Sequence, residues 1–351
     1  MSKKIAVVLF NLGGPDDLDA VQPFLFNLFN DPAIISLPNP FRWVLARFIS
    51  KRRAPIAKDI YRRIGGKSPL LELTQQQASA LESELADLGE VKCFIGMRYW
   101  HPMVLEAAER VQQFDPDQII LLPLYPQFSS TTTGSSLEAW DCASHLTGMT
   151  KKARAICCYP EEPGWIGSQV DLIKTTLDEN RDGNPKRILF SAHGLPKKIV
   201  DKGDPYPDQV ECTVKAIVAE LQKEIPDLLD WVICYQSRVG RLEWIGPSTD
   251  DELERAGKEG LGVVVVPVAF VSEHSETLVE LDIEYRELAE KVGVPTYWRV
   301  PAVGDHPKYI SGLSNLVRQT LNQEKTLCSG AENGKRLCDT KNVSCPLAHS
   351  D

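Results

Sequence analysis

Leu189-Phe190-Ser191-Ala192-His193-Gly194-Leu195-Pro196 is the stretch that decides the fold. The apolar run Ile188 to Phe190 ends in a loop led by a histidine and a glycine, as a buried parallel strand does when it delivers a functional loop at its carboxyl end. Ile5 to Phe10, Ile119 to Leu124 and Val263 to Phe270 have the same form. Helical patterns such as Leu71 to Leu88 and Val210 to Glu224 lie between them. Alternating strand and helix predicts a doubly wound α/β sheet.

The two halves resemble each other. Leu9-Phe10-Asn11-Leu12-Gly13-Gly14-Pro15 parallels the quoted stretch, and Pro123-Leu124-Tyr125, followed by a Ser/Thr run, parallels Pro267-Val268-Ala269-Phe270, followed by Ser272. Two related α/β domains facing each other account for this; a chance likeness of strand-turn sequences is the bland alternative. Proline content places the break near Pro160 to Pro163, after the strand-like Ala153 to Cys157. The expected division is 1–165, 166–325 and a cysteine-bearing tail 326–351, the last helix running from about Tyr309 to Leu321. The tail's polar composition predicts mobility unless something ties it down.

A chain of 351 residues suits one large α/β domain or two of about 150 residues. With 43% hydrophobic and 25% charged residues it has the composition of a soluble globule. A net charge of −9 supplies no basic footprint for a phosphate backbone, which argues against nucleic acid as the main partner. Met1-Ser2-Lys3-Lys4-Ile5-Ala6 leads straight into a strand, and no apolar run approaches the roughly 18 residues of a membrane span. The expected location is cytoplasmic. Nine cysteines then read mostly as buried thiols, with Cys328, Cys338 and Cys345 the exceptions in their polar tail.

His193 stands just past a strand, where open α/β sheets bind ligands, and its glycine neighbour allows close approach. Imidazole accepts protons near neutral pH and ligates metals; a structural histidine bonded to its loop is the alternative. Phe270-Val271-Ser272-Glu273-His274-Ser275-Glu276-Thr277-Leu278-Val279-Glu280 follows another strand and opens a helix. With a helix start near Ser272, Glu273, Glu276 and Glu280 share one face, an oxygen-rich track for a divalent cation or for protons. Acids at a helix start also serve the helix dipole alone, which covers Glu273 and Glu276 better than Glu280.

Phe41 to Arg53 puts Phe41, Val44, Leu45, Phe48 and Ile49 at helical spacing, with Arg42, Arg47, Lys51, Arg52 and Arg53 largely elsewhere and Trp43 as an interfacial anchor. This basic amphipathic segment, near 37–55, suits peripheral contact with the cytoplasmic, or inner, membrane; a helix packed on the protein body gives the same pattern. Tyr61 to Pro69 combines cations with glycines, and Arg98-Tyr99-Trp100 follows the strand-like Cys93 to Met97. Arg suits carboxylates, and Tyr and Trp suit a flat aromatic ligand. Gly65-Gly66 lacks P-loop spacing, and no dinucleotide fingerprint follows the first strand.

From Leu9 to about Tyr285 the chain resembles the ferrochelatases. The resemblance rests on Asn11-Leu12-Gly13-Gly14-Pro15, Lys51-Arg52-Arg53-Ala54-Pro55, Tyr61 to Pro69, Arg98-Tyr99, Tyr125-Pro126-Gln127-Phe128, Thr132-Thr133-Gly134-Ser135-Ser136-Leu137, Ser191 to Pro196, Gly203-Asp204-Pro205-Tyr206-Pro207, Tyr235-Gln236-Ser237-Arg238-Val239-Gly240, Trp244-Ile245-Gly246-Pro247 and Glu276-Thr277-Leu278. It implies two similar doubly wound, Rossmann-like domains with parallel sheets, the chelatase fold, and a porphyrin cleft between them. It implies insertion of Fe²⁺ into protoporphyrin IX, giving protohaem and two protons in the terminal step of haem biosynthesis. Coproporphyrin as substrate, cobalt as metal, or a non-enzymatic haem or metal carrier are the alternatives, and monomer and homodimer both stay open.

The same resemblance makes His193 and Glu276 the catalytic pair and the metal contacts, with Glu273, His274 and Glu280 as an accessory path. It assigns porphyrin binding to Leu12, Arg52, Tyr61, Ser68, Arg98, Tyr99, Trp244 and Phe270. Some family members carry a [2Fe–2S] cluster, for which Cys158, or less favourably Cys157, with Cys328, Cys338 and Cys345 is the candidate set; Zn²⁺ would take similar ligands.

Overall fold

The computed structural model describes residues 3–180, 186–225, 230–238 and 242–349. Val239 and Gly240 of the quoted segments, and the last two residues of the tail, lie outside the described residues. The chain forms two compact units, Met1–Cys158 with Leu313–Lys335, and Tyr159–Gly312 with Arg336–Asp351.

The first unit holds β1 (Lys4–Asn11), β2 (Glu90–Met97), β3 (Gln118–Pro123), β4 (Ala153–Ile156) and β9 (Leu327–Cys328). They lie in the order β2-β1-β3-β4-β9, all parallel. The second holds β5 (Lys186–His193), β6 (Trp231–Gln236), β7 (Gly262–Pro267) and β8 (Tyr297–Arg299), parallel in the order β6-β5-β7-β8.

Apart from β9 the two orders are the same. The sequence likeness between Leu9–Pro15 and Leu189–Pro196 falls on β1 and β5, and that between Pro123 and Pro267 on the ends of β3 and β7. Each sheet therefore reverses its winding at one place, between β1 and β3 or between β5 and β7. Ligands of open α/β sheets bind at that point, outside the carboxyl ends of the strands.

Burial explains why the strands were readable. Every residue of β7, Gly262-Val263-Val264-Val265-Val266-Pro267, is buried. A strand covered on both faces has no use for alternation, and each buried valine contributes about 1.5–3 kcal/mol. The run does not extend as strand to Phe270: β7 closes at Pro267, where the Val268 N–H turns back to the Ser191 carbonyl at 3.0 Å. The helical pattern Leu71 to Leu88 is a helix over Leu70–Glu84 followed by a short 3₁₀ turn.

The tail is not a separate segment. The chain returns to the first unit at Leu313, inside the helix Pro307–Leu321, and β9 then pairs with the edge of β4. Arg336 onward belongs to the second unit. There Asn342 Nδ2 donates to Asp208 at 2.9 Å and the Ser344 N–H to the Gly203 carbonyl at 3.1 Å. These backbone and side-chain bonds tie down a segment whose composition alone predicted mobility.

Gly257, in the helix Thr249–Glu259, lies against the Val292 carbonyl so closely that a β-carbon has no room. Gly257→Ala is expected to destabilise the protein by about 1–3 kcal/mol through overpacking. The denaturant midpoint should fall with no change in slope, and an unaltered midpoint would show that the contact relaxes freely.

Candidate active site

β5 ends on His193, which in parallel register lies beside Gln236 at the end of β6. Gly194 follows with its N–H on the Gln236 carbonyl at 2.8 Å; a side chain there would strike that oxygen and the Trp244 ring. The glycine is thus needed for close approach. His193 Nδ1 lies 2.6 Å from the Gly194 carbonyl. A carbonyl oxygen only accepts, so Nδ1 carries the hydrogen and Nε2 is the nitrogen that takes up and gives off a proton.

That Nε2 lies 3.8 Å from Glu276 Oε1, while His274 Nε2 lies 3.6 Å from Glu276 Oε2. One carboxylate is therefore flanked by two imidazoles, one at each oxygen. Burial opposes its ionisation, but the charge of His193 and the bond from His274 outweigh burial and hold the group at about 2. The Phe270 ring covers His274, centroids 4.7 Å apart.

Glu276 opens a π-helix, Glu276–Glu284, whose wide turn brings Glu280 near it. Such turns are rare and recur at functional sites. Burial, then the neighbouring Glu276 charge, pushes the Glu280 carboxyl above its ordinary range. Glu280 accepts from the Ser237 N–H at 2.8 Å, from the Ser237 hydroxyl, from Gln236 Nε2 at 3.2 Å and from the Tyr285 hydroxyl at 3.3 Å.

The expected three-acid face is corrected here. The helix starts at Ser275, not near Ser272, so Glu273 is in the preceding loop. Its Oε1 accepts from Arg299 Nη1 at 2.6 Å and from the Ala302 N–H at 2.9 Å. Arg299 also grips Asp282 through Nε and Nη2. The Arg299 guanidinium thus neutralises Glu273, whose carboxyl is held low by that charge in spite of burial. Among the described residues no three His, Cys, Asp or Glu side chains gather to hold a metal ion.

In the first unit, Arg98 and Tyr99 lie just past β2 and meet at Asp31, a buried carboxylate that sequence reasoning had not singled out. Asp31 Oδ2 accepts from Arg98 Nη2 at 2.8 Å, from the Tyr99 hydroxyl at 2.8 Å and from the Ser135 hydroxyl at 2.6 Å. Tyr99 is 1% exposed, and Tyr61 is buried beside it with Leu12 packed against the same cluster. Neither phenol presents an open ring face to a flat ligand. Ser68 is also buried, accepting from the Leu70 N–H, whereas Arg52 is exposed and Trp244 and Phe270 are half-buried.

The helix Phe41–Arg63 turns its small residues Ala46, Ser50 and Ala54 inward and leaves Phe41, Phe48 and Ile56 exposed at 67%, 62% and 64%. The apolar face therefore looks outward. No helix among the described residues is long and apolar enough to cross a membrane.

The four candidate cluster cysteines divide between the units. In the first, Cys328 is buried near the Ala155 carbonyl and the Thr320 hydroxyl, and Cys158 is buried 3.6 Å from Cys157. In the second, Cys338 accepts from Gln209 Nε2 at 3.0 Å, and Cys345 is held at about 6 by its bond with Cys338. Within each unit, no three of the described thiols assemble a donor set.

A family model described as Ferrochelatase matches residues 4–321. A ferrochelatase of Caulobacter vibrioides is 53% identical over 334 residues, 94% of this chain and 94% of that protein. One of Phenylobacterium zucineum is 50% identical over 97% of each chain, and one of Rickettsia felis 49% over 98% of each. Among solved structures, SirB from Bacillus subtilis with Fe³⁺ gives a TM-score of 0.53 at 14% identity, covering 91% of this chain and 96% of that one. A sirohydrochlorin chelatase SirB from Bacillus subtilis subspecies spizizenii, in complex with cobalt, gives 0.51 at 13% identity over 91% and 95%. These two show the fold.

Together the matches define the class, a metal chelatase and hence a lyase, on a duplicated parallel α/β framework. Within that class, the chain belongs to the ferrochelatase family, whose reaction inserts a metal ion into a porphyrin in haem biosynthesis.

The pair of imidazoles around Glu276 makes acid stability depend on it. Its folded value of about 2 lies below the ordinary 4.5, so its contribution is fully present above about pH 4.5 and is lost as pH falls through about 2. Denaturation between pH 5 and pH 2 should show the wild type losing more stability than Glu276→Gln. Parallel curves for the two proteins would remove this assignment.

Proposed function

We propose that this chain inserts Fe²⁺ into protoporphyrin IX, yielding protohaem and two protons as the terminal step of haem biosynthesis, with His193 as the base and Glu276 as its partner. The observation that carries this reading is the fixed tautomer of His193. With Nδ1 bound to the Gly194 carbonyl, Nε2 is the basic nitrogen, and it lies 3.8 Å from a carboxylate that stays ionised.

The chemistry requires two pyrrole N–H protons to leave a rigid ring while a hydrated cation sheds water. Nε2 of His193 accepts a pyrrole proton, and Glu276 stabilises the imidazolium that forms. His274, against the second oxygen of Glu276, keeps that carboxylate oriented. Glu280, pushed towards its protonated form, stands next in line to receive protons. Arg299 neutralises Glu273, so the Glu276 and Glu280 turn carries the function without it. Fe²⁺ enters as a substrate, and its choice over cobalt rests on family membership, since such ligands discriminate weakly among these ions. Membership in an enzyme family sets aside the carrier.

His193→Ala should abolish anaerobic Fe²⁺ insertion while porphyrin still binds, as followed by quenching of intrinsic fluorescence. Normal turnover would refute the base. Running protoporphyrin IX beside coproporphyrin in the same assay tests the substrate, and preference for the latter would overturn that part.

The exposed face of Phe41–Arg63, with Trp43, Val44 and Phe48 beside Arg47, Lys51, Arg52 and Arg53, supports peripheral contact with the cytoplasmic face of an anionic membrane. Phe48→Asp should weaken binding to vesicles containing anionic lipid at least about tenfold, with solution activity retained. Equal binding by both proteins would exclude this surface.

A further inference from the structure

The loop that follows His193 is pinned at its near end by neighbouring strands and turns. The Gly194 N–H bonds the Gln236 carbonyl at 2.8 Å, the Ile245 N–H the Leu195 carbonyl at 3.1 Å and the Lys197 N–H the Glu243 carbonyl at 2.9 Å. Its far end runs through Gly203-Asp204-Pro205-Tyr206-Pro207 into the helix Tyr206–Glu224. Tyr206 is buried, and its phenol lies close enough to the Glu276 carboxylate to feel that charge. Wherever this end of the loop is placed, Tyr206 goes with it.

The C-terminal tail holds that end, from 134 to 142 residues further along the chain. The Ser344 N–H donates to the Gly203 carbonyl at 3.1 Å and the Ser344 hydroxyl to the Lys202 carbonyl at 2.9 Å. Asn342, only 4% exposed, donates through Nδ2 to Asp208 Oδ2 at 2.9 Å, in the first turn of the helix. Gly203 has φ +88°, and a β-carbon there would lie 2.7 Å from Val343 Cγ2 and 2.8 Å from Val343 N. Tail and loop therefore meet at a position that only glycine fits. Lys341 also reaches Asp208, but from an exposed position where an ion pair adds little. The Asn342 amide is buried, and its bond to a carboxylate is charge-assisted and fixed in direction.

We propose that Asn342 is a positioning residue for metal insertion, the tail acting as a strap across residues 202–208 that keeps Tyr206 in place beside Glu276. The proposal rests on the reading of His193 and Glu276 as the reacting pair. Asn342 acts through Asp208, two residues beyond Tyr206 in the same helical turn. The loop's own backbone bonds, such as that of the Gly203 N–H to the Val200 carbonyl at 2.8 Å, are local, so they shape the loop without anchoring it. Anchoring matters because a misplacement of about 1 Å in a site can cost on the order of 100-fold in rate.

The test exchanges the two partners in the full chain. Asn342→Asp sets two carboxylates against each other, and adding Asp208→Asn restores an amide facing a carboxylate with the roles reversed. In anaerobic steady-state Fe²⁺ insertion, Asn342→Asp should lower kcat about tenfold, with KM for porphyrin and for Fe²⁺ within about twofold. The double variant should return kcat to within about threefold of the wild type. Asn342→Ala, which removes the bond without adding a charge, should fall between wild type and Asn342→Asp.

Wild-type kcat in Asn342→Asp would overturn the strap. So would a loss that the double variant does not recover, or one that simply follows the thermal midpoint. If Asn342→Asp does not fold, Asn342→Ala is read in its place, and unchanged kcat there overturns the proposal. Failure of the underlying reading shows separately, as turnover retained by His193→Ala.

Discussion

The site depends on one carboxylate kept charged where burial would neutralise it. Glu276 holds its charge because an imidazole stands at each oxygen, His193 at 3.8 Å and His274 at 3.6 Å. Each ring is positioned by backbone. The Gly194 carbonyl fixes His193, and the Phe270 turn after β7 carries His274 under its own aromatic cover. Without that pair the acid would be costly to leave ionised, and Glu280 one turn on would lose the negative neighbour that pushes it the other way. Two carboxyl groups of opposite tendency thus share one wide helical turn.

The duplicated fold places this chemistry in one copy only. Both units wind their strands in the same order and both follow the third strand of that order with a π-helical turn, Ser130–Gly134 in the first and Glu276–Glu284 in the second. The first copy's turn is made of serine, threonine and glycine. Its charge is gathered instead at Asp31, where Arg98, Tyr99 and Ser135 converge. Such a network rigidifies its surroundings because every member is paired. The second copy leaves His193 half exposed.

Several residues change meaning once their partners are known. Glu273 looked like the first acid of a track, yet Arg299, 26 residues further on, captures it. Tyr99 looked like a stacking surface, yet its hydroxyl is turned to Asp31, 68 residues earlier. In the helix Phe41–Arg63, Phe41, Val44, Phe48 and Ile56 face outward while Ala46, Ser50 and Ala54 pack, the reverse of an ordinary surface helix. The spacing showed two faces but not which was inside, since only the neighbours of a helix decide that.

Sequence by itself determined the buried runs of β1, β3, β5 and β7 and the likeness of the halves, because parallel strands buried on both faces read as continuous apolar runs, while β6, β8 and β9 were not legible in it. Tertiary structure alone decided where the second helix starts, which acids are free and which are neutralised, and that Tyr285 meets Asp250 across 35 residues of chain. Those pairings join side chains from different strands and helices, and no local period encodes them. Their energies come from burial and charge, which exist only once the sheet has assembled.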